Sequence, residues 1–176
     1  GLHNEEWWIR EVVGEGKHPL RPADSEMLFM DRVFLNEVYH LSAYTREKFE
    51  GMYYRDGLQK IWFELLISRD MYRDWSLRCN IPMHAEVFNT FLEAVVIGMS
   101  PIIPHWCEAI WTMMGRSGSV CTSRWPSYPE YDRLLRKQYI FFRDFIKSAR
   151  GFQLKAKETM RKKLTIYLAI TYEAKK

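Results

Sequence analysis

From Asp56 to Cys79, apolar residues return every three or four positions: Leu58, Ile61, Trp62, Leu65, Leu66, Tyr72 and Trp75. Lys60, Glu64, Arg69, Asp70, Arg73 and Asp74 fill much of the surface between them. This is the period of an amphipathic α-helix, and a helix with an apolar stripe has to bury it against other elements. The rest of the chain offers helices for that purpose. An apolar stripe of Trp7, Trp8 and Val12 predicts a helix over about Glu5–Val13, stopped by Gly14, Gly16, Pro19 and Pro22. Asp24 or Ser25 is expected to cap the next helix, which carries Leu28, Val33, Leu35, Val38 and Leu41. Ser42 and Thr45 predict a short break and a restart there.

Pro82 is expected to close the 56–79 helix, and a further apolar helix follows over about Ala85–Met99. Pro101 and Pro104 interrupt it, and Pro104 is placed to open the next helix, His105–Met114, which Gly115 ends. A loop rich in Gly, Ser and Pro spans 116–129, and a long helix is expected from about Glu130 to Lys163. Leu164, Ile166, Leu168 and Ile170 alternate with Thr165, Tyr167, Ala169 and Thr171, which predicts a strand. The expectation is therefore all-α: an antiparallel helical bundle over residues 1–163, with a short C-terminal β-strand in 164–176 leading towards a further domain. A start at Gly1 and an unpaired strand at the other end both suggest a piece of a longer chain.

Catalytic signatures are missing. The chain has no phosphate-binding glycine loop, no dinucleotide fingerprint, no zinc-protease motif and no nucleophile elbow. His105 and Cys107 lie two residues apart on a helix and face different directions. Cys79, Cys107 and Cys121 are odd in number and lack metal-ligand spacing, which suits free thiols in a reducing cytoplasm. His3, His18, His40 and His84 are scattered and read as packed or solvated histidines. No apolar run is long enough to span a bilayer, so no membrane partner is expected.

Charge is unevenly placed. Residues 1–132 hold 13 Lys/Arg against 19 Asp/Glu, whereas residues 133–176 hold 13 against 3. A basic end of this kind is the footprint of a polyanion partner. At 100° per residue, Arg136, Arg143, Lys147, Arg150, Lys157 and Arg161 fall within roughly an 80° arc of the last helix. They span roughly 38 Å, a length that can follow several phosphates of an RNA stem. Leu135, Phe142, Ile146, Ala149, Ala156 and Met160 lie about a quarter turn away and are the expected core side. A solvated face normally mixes signs for i,i+4 pairing, and this stripe does not. Tyr53, Tyr54, Tyr128 and Tyr131 are candidates for stacking on unpaired bases. A helical protein-interaction module with an incidental basic face is the alternative.

Several blocks carry a resemblance. SPIIPHWCEAIWTMMG, Ser100–Gly115, resembles the Pro-x-x-Pro-His-x-x-Glu-x-x-Trp signature of the anticodon-binding bundle of class Ia aminoacyl-tRNA synthetases, through Pro101, Pro104, His105, Glu108 and Trp111. SVCTSRWP, Ser119–Pro126, is similar to its continuation. Met30–Val38, with its Asp-Arg-Val-Phe segment, and Met52–Asp74 resemble leucyl enzymes of the archaeal and eukaryotic cytosolic type rather than valyl or isoleucyl ones. WWIREV near the N-terminus and LTIYLA, Leu164–Ala169, resemble their flanking segments. Gly57 and Trp62 depart from the residues common there.

The resemblance implies a non-catalytic, tRNA-binding part of a leucine–tRNA ligase. Its partners would be tRNA(Leu) and the catalytic and C-terminal domains of the same protein. It implies ATP and Mg for the parent enzyme, and no cofactor within this region. It also implies backbone and shape readout of the tRNA, for which the basic stripe is suited. Arg69 and Arg73, on one face of the long helix, are secondary tRNA-binding candidates.

Overall fold

The computed structural model describes residues 1–14 and 16–155, with side chains through residue 152. The helices are α1 (Leu2–Val13), α2 (Phe29–Glu50), α3 (Tyr54–Leu58), α4 (Leu65–Cys79), α5 (Ala85–Met99), α6 (Pro104–Met113) and α7 (Arg133–Lys155). A π-helical turn, Gln59–Glu64, joins α3 to α4, and a 3-10 turn, Val120–Thr122, follows α6. The described residues form no strand beyond an isolated bridge between Arg21 and His84. The all-α bundle expected from the periodicity is what forms, and the strand expected over 164–172 lies outside the described residues. The chain divides into two compact units, Gly1–Arg136 and a second that begins at Lys137.

In the first unit α5 is the buried centre. Val87, Phe88, Phe91, Leu92, Ala94, Val95, Val96 and Ile97 are all buried, and the helix keeps a solvent face only in its first half, at Glu86 and Asn89. α2 packs against it and against α3 and α4. Phe34 of α2 stacks on Tyr72 of α4, with ring centroids 5.0 Å apart, and tilts against Phe91 at 5.6 Å. Trp8 of α1 meets Phe88 edge-on at 5.6 Å. Gly98 lets α5 approach the π-helical turn closely: a Cβ there would stand 2.7 Å from a side-chain carbon of Ile61.

Three local expectations are corrected. α2 does not break at Ser42 and Thr45. The Thr45 hydroxyl is buried and donates to the Leu41 carbonyl at 2.8 Å, as a hydroxyl can one turn back in a continuous helix. Ser42 is buried and accepts from the Trp125 indole Nε1 at 3.2 Å. Neither Asp24 nor Ser25 caps α2; the Asp31 carboxylate accepts from the Leu28 backbone N–H at 2.7 Å instead. The 56–79 helix is not uniform, because the π-helical turn shifts its phase while Ile61 and Leu65 both stay fully buried. It ends at Asn80, whose φ of 53° reverses the chain before Pro82 is reached.

A buried polar hub ties the first unit together. Asp31 is fully buried and accepts from the Tyr72 hydroxyl and the Arg21 guanidinium. Arg21 also donates to the carbonyls of Pro82, at 2.9 Å, and Glu26, at 3.0 Å. The Tyr72 oxygen accepts from the His84 backbone N–H at 2.9 Å. Burial, then the Asp31 carboxylate, pushes the Tyr72 phenol far above its ordinary range, so it remains a donor.

Candidate nucleic-acid interface

α7 begins where Asp132 accepts at its side chain from the backbone N–H groups of Leu134, at 2.7 Å, and Leu135, at 3.2 Å. Asn36 of α2 fixes this cap from both sides, donating to the Asp132 carbonyl at 3.0 Å and accepting from its N–H at 2.7 Å. The start of the basic helix is therefore registered on α2. The helix runs on through Gly151 without interruption to Lys155.

Along α7 the cations behave differently. Arg143, Lys147 and Arg150 are exposed. Arg143 lies 3.3 Å from Asp144 and 5.9 Å from the centre of the Tyr139 ring, a loose surface arrangement that a phosphate can compete with. Arg136 is instead half-buried, with Nε 3.5 Å from a Glu37 carboxylate that is itself buried. Its charge is largely committed to the first unit. Lys157 and Arg161 lie outside the described residues. The core side of the helix also needs correction: Leu135, Ile146 and Ala149 are half-buried, but Phe142 is exposed. Phe141, Phe145 and Phe152 are exposed as well, so α7 shows more ring surface than its charge pattern suggests.

The secondary candidates are placed elsewhere. Arg69 is only 3% exposed and donates from both terminal nitrogens to the Glu5 carboxylate, at 2.6 and 3.1 Å. Its guanidinium also covers the Trp8 ring at 4.5 Å. Arg73 pairs with Asp70 at 3.2 Å and meets the same ring at 5.4 Å. The two arginines do share a side of α4, but that side holds α1 in place. Burial removes Arg69 as a phosphate ligand.

Of the four tyrosines, Tyr53 and Tyr54 are exposed. Tyr128 stacks on Tyr39 at 5.0 Å and donates to the Thr90 carbonyl at 3.3 Å. Tyr131 sits against the His40 ring at 4.4 Å.

The structure also brings together residues that sequence reasoning passed over. His40, Tyr44 and Lys48 follow one another at i,i+4 along α2, in line with Asn36. Lys48 Nζ lies 4.9 Å from the Tyr44 ring centre and 5.9 Å from that of Tyr53. Lys60 Nζ approaches Tyr44 at 5.5 Å from the π-helical turn. Burial first, then the nearby charges of Arg136 and Lys60, pushes His40 down to about 4, so its ring is neutral at pH 7. The signal for this row was an i,i+4 ladder of polar and aromatic residues on a helix otherwise read for its apolar face.

Within the α6 motif, Glu108 has a structural role. The Glu108 carboxylate accepts first from the Ser119 hydroxyl and then from backbone N–H groups of Val120 and Cys121, which holds it below the usual carboxylate range. It thereby fastens the 3-10 turn to the helix. Cys107 is buried, and burial pushes its thiol up to about 12. Among the described residues no three His, Cys, Asp or Glu side chains converge as metal ligands. No described helix is long and apolar enough to cross a membrane.

An all-α chain with a long basic last helix, in which Glu108 of α6 fastens the 3-10 turn, matches one class of protein over most of its length. The chain belongs to the family described as the anticodon-binding domain of tRNA ligase, whose model covers residues 31–170. Its relatives are leucine–tRNA ligases. The cytoplasmic leucine–tRNA ligase of Pongo abelii is 30% identical over 128 residues, 73% of this chain and 10% of that protein. That of Neurospora crassa is 29% identical over 152 residues, 84% of this chain and 13% of that protein. The archaeal leucine–tRNA ligase of Staphylothermus marinus is 29% identical over 99 residues, 56% of this chain and 10% of that protein. The chain thus spans between 10% and 13% of the length of these three relatives.

Proposed function

We propose that the chain is the tRNA-docking bundle of a cytoplasmic leucine–tRNA ligase, and that it holds tRNA(Leu) so that its acceptor end reaches a catalytic site in another domain. Leucylation with ATP and Mg belongs to those other domains; this region contributes binding energy and orientation, not bond-making. One observation carries the reading. Within a domain of the anticodon-binding family, Arg143, Lys147 and Arg150 line one exposed arc of α7. Such a stripe contacts phosphates and fixes register on the RNA without reading bases.

The test is a titration of the chain into leucine tRNA and a non-cognate tRNA at low and physiological salt. Binding is expected to weaken steeply as salt rises. Arg143→Glu together with Lys147→Glu should lower affinity and flatten the logarithmic salt slope by about two. An unchanged slope in the double variant would remove the stripe from the interface. Preference for a valine or isoleucine tRNA would reassign the parent enzyme.

A further inference from the structure

α7 carries a second face whose chemistry is the reverse of its cationic one. At 100° per residue, Phe141, Phe145 and Phe152 fall within roughly a 40° arc, about half a turn from the arc of Arg143, Lys147 and Arg150. All three rings are exposed, Phe141 by 64% and Phe152 by 71%. Phe141 and Phe145 stack with centroids 6.3 Å apart, which joins them into one apolar ledge. Contact with phosphates needs no such ledge, and large rings gathered on one side of a helix mark an interaction surface. We propose that this face docks an amphipathic α-helix of a partner protein, one with aliphatic side chains at heptad spacing and acidic residues flanking them. The proposal does not rest on tRNA docking; it gives α7 a protein contact on the side turned away from its cations.

Three features carry it. First, the rings follow one another at steps of four and then seven residues, the spacing of the seam along which two helices pack. Second, the seam has a shaped recess. Phe145, Ser148, Ala149 and Phe152 stand at i, i+3, i+4 and i+7, the four corners of a hole that receives one side chain of a facing helix. Rings close its two ends, and the small middle pair leaves depth for a leucine-sized knob. Third, charge selects the occupant. Residues 133–155 hold seven Lys/Arg and one acid, Asp144, which lies 3.3 Å from Arg143. Lys137 is exposed at the edge of the seam. The screening length at physiological salt is about 8 Å, close to the width of a helix, so the positive field reaches the aromatic side as well. Acidic flanks on the partner are therefore attracted. A second copy is disfavoured by the same field, because it would lay two such basic helices side by side.

The experiment titrates the chain into a fluorescein-labelled helical peptide with Leu at both core positions of each heptad and Glu at the flanking ones, and into the same peptide with Lys in place of Glu. The unmodified chain is compared with Phe145→Ala/Phe152→Ala and with Phe145→Leu/Phe152→Leu, and circular dichroism melts check that each folds. The acidic peptide should bind the unmodified chain at least about tenfold more tightly than the basic one. The alanine pair should weaken that binding about tenfold or more, and the leucine pair should restore it to within about threefold. Absence of binding to the acidic peptide at about 1 mM, or equal binding by the alanine pair and the unmodified chain, would overturn the proposal. Two further readouts separate other occupants. Leucine tRNA affinity should stay within about twofold in the alanine pair, and a loss as large as that for the peptide would give the face to RNA. A dimer in sedimentation equilibrium that the alanine pair abolishes would give it to a second copy.

Discussion

Two sets of arginines share this chain and do opposite things. In the first unit Arg21 and Arg69 are enclosed: one donates to Asp31 and two carbonyls, the other grips Glu5 and covers Trp8. On α7, Arg143 and Arg150 are exposed beside Lys147. Arg21 lies in the segment between α1 and α2, whereas Arg69 lies on a helix as Arg143 and Arg150 do, and nothing in an arginine's identity separates the two sets. The difference lies in the company. Every enclosed arginine has a carboxylate within reach from another part of the chain, and every one joins elements distant in sequence. Residues 133–155 hold seven Lys/Arg and one acid, Asp144, so the fields of the exposed cations add outward. Enclosed charge builds the bundle, and exposed charge mostly of one sign is what a polyanion meets.

The sharpest way to break this comparison is to delete the acid at the hub. Asp31→Ala leaves the Arg21 guanidinium, the Tyr72 hydroxyl and the Leu28 N–H without their shared acceptor. Breaking one partner of a buried pair costs about 3–5 kcal/mol. Urea unfolding should show a loss of that size with little change in slope. A loss below about 1 kcal/mol would mean that the hub does not hold the bundle. Arg69→Ala is the next step down. Glu5 retains 21% side-chain exposure and can be rehydrated, so the expected loss is about 2 kcal/mol, shared between the ion pair and the cover over Trp8.

The same contrast marks what was legible in the sequence. The helices were, because apolar residues at three- and four-residue spacing can only be buried one way. α5 and the Pro104 start of α6 agree with expectation almost to the residue. Ser42 and Thr45 misled because polar residues inside a helix look like breaks until Trp125 and the Leu41 carbonyl supply partners. The α7 stripe was visible as charge of one sign. Arg69 was not assignable from sequence, since its fate depends on Glu5, which lies 64 residues away. The Tyr44 row went unseen for a related reason: Lys60 and Tyr131 reach it from other parts of the chain. Periodicity reports which face a residue is on, and it does not report what stands opposite.

His40 tests the boundary between the two kinds of charge. Its neighbours are Arg136, Lys60 and Glu64, and the two cations outweigh the acid. Its folded value of about 4 lies below the ordinary 6.5, so the unfolded chain binds a proton between these values and the folded chain does not. Stability is therefore lost as pH falls through that window. The ring is only half-buried, and after discounting for solvent screening the loss between pH 7 and pH 5 should be about 1 kcal/mol. His40→Gln should remove this part of the pH dependence, as read from unfolding midpoints at the two pH values. An identical pH dependence in the variant would place the charge change elsewhere.

The smallest effect on stability is expected where the largest effect on RNA binding is. Arg143→Glu with Lys147→Glu changes exposed groups, so thermal unfolding should shift by no more than about 0.5 kcal/mol per substitution. Arg143 does give up its contact with Asp144, but that pair is exposed on both sides and contributes little. The sign of any shift is informative. If α7 crowds like charges against itself, reversal relieves repulsion and the variant melts slightly higher while losing RNA. If the variant melts well below the unmodified chain, the stripe is part of what holds the protein together. The division between enclosed and exposed charge would then fail at the helix for which it was drawn.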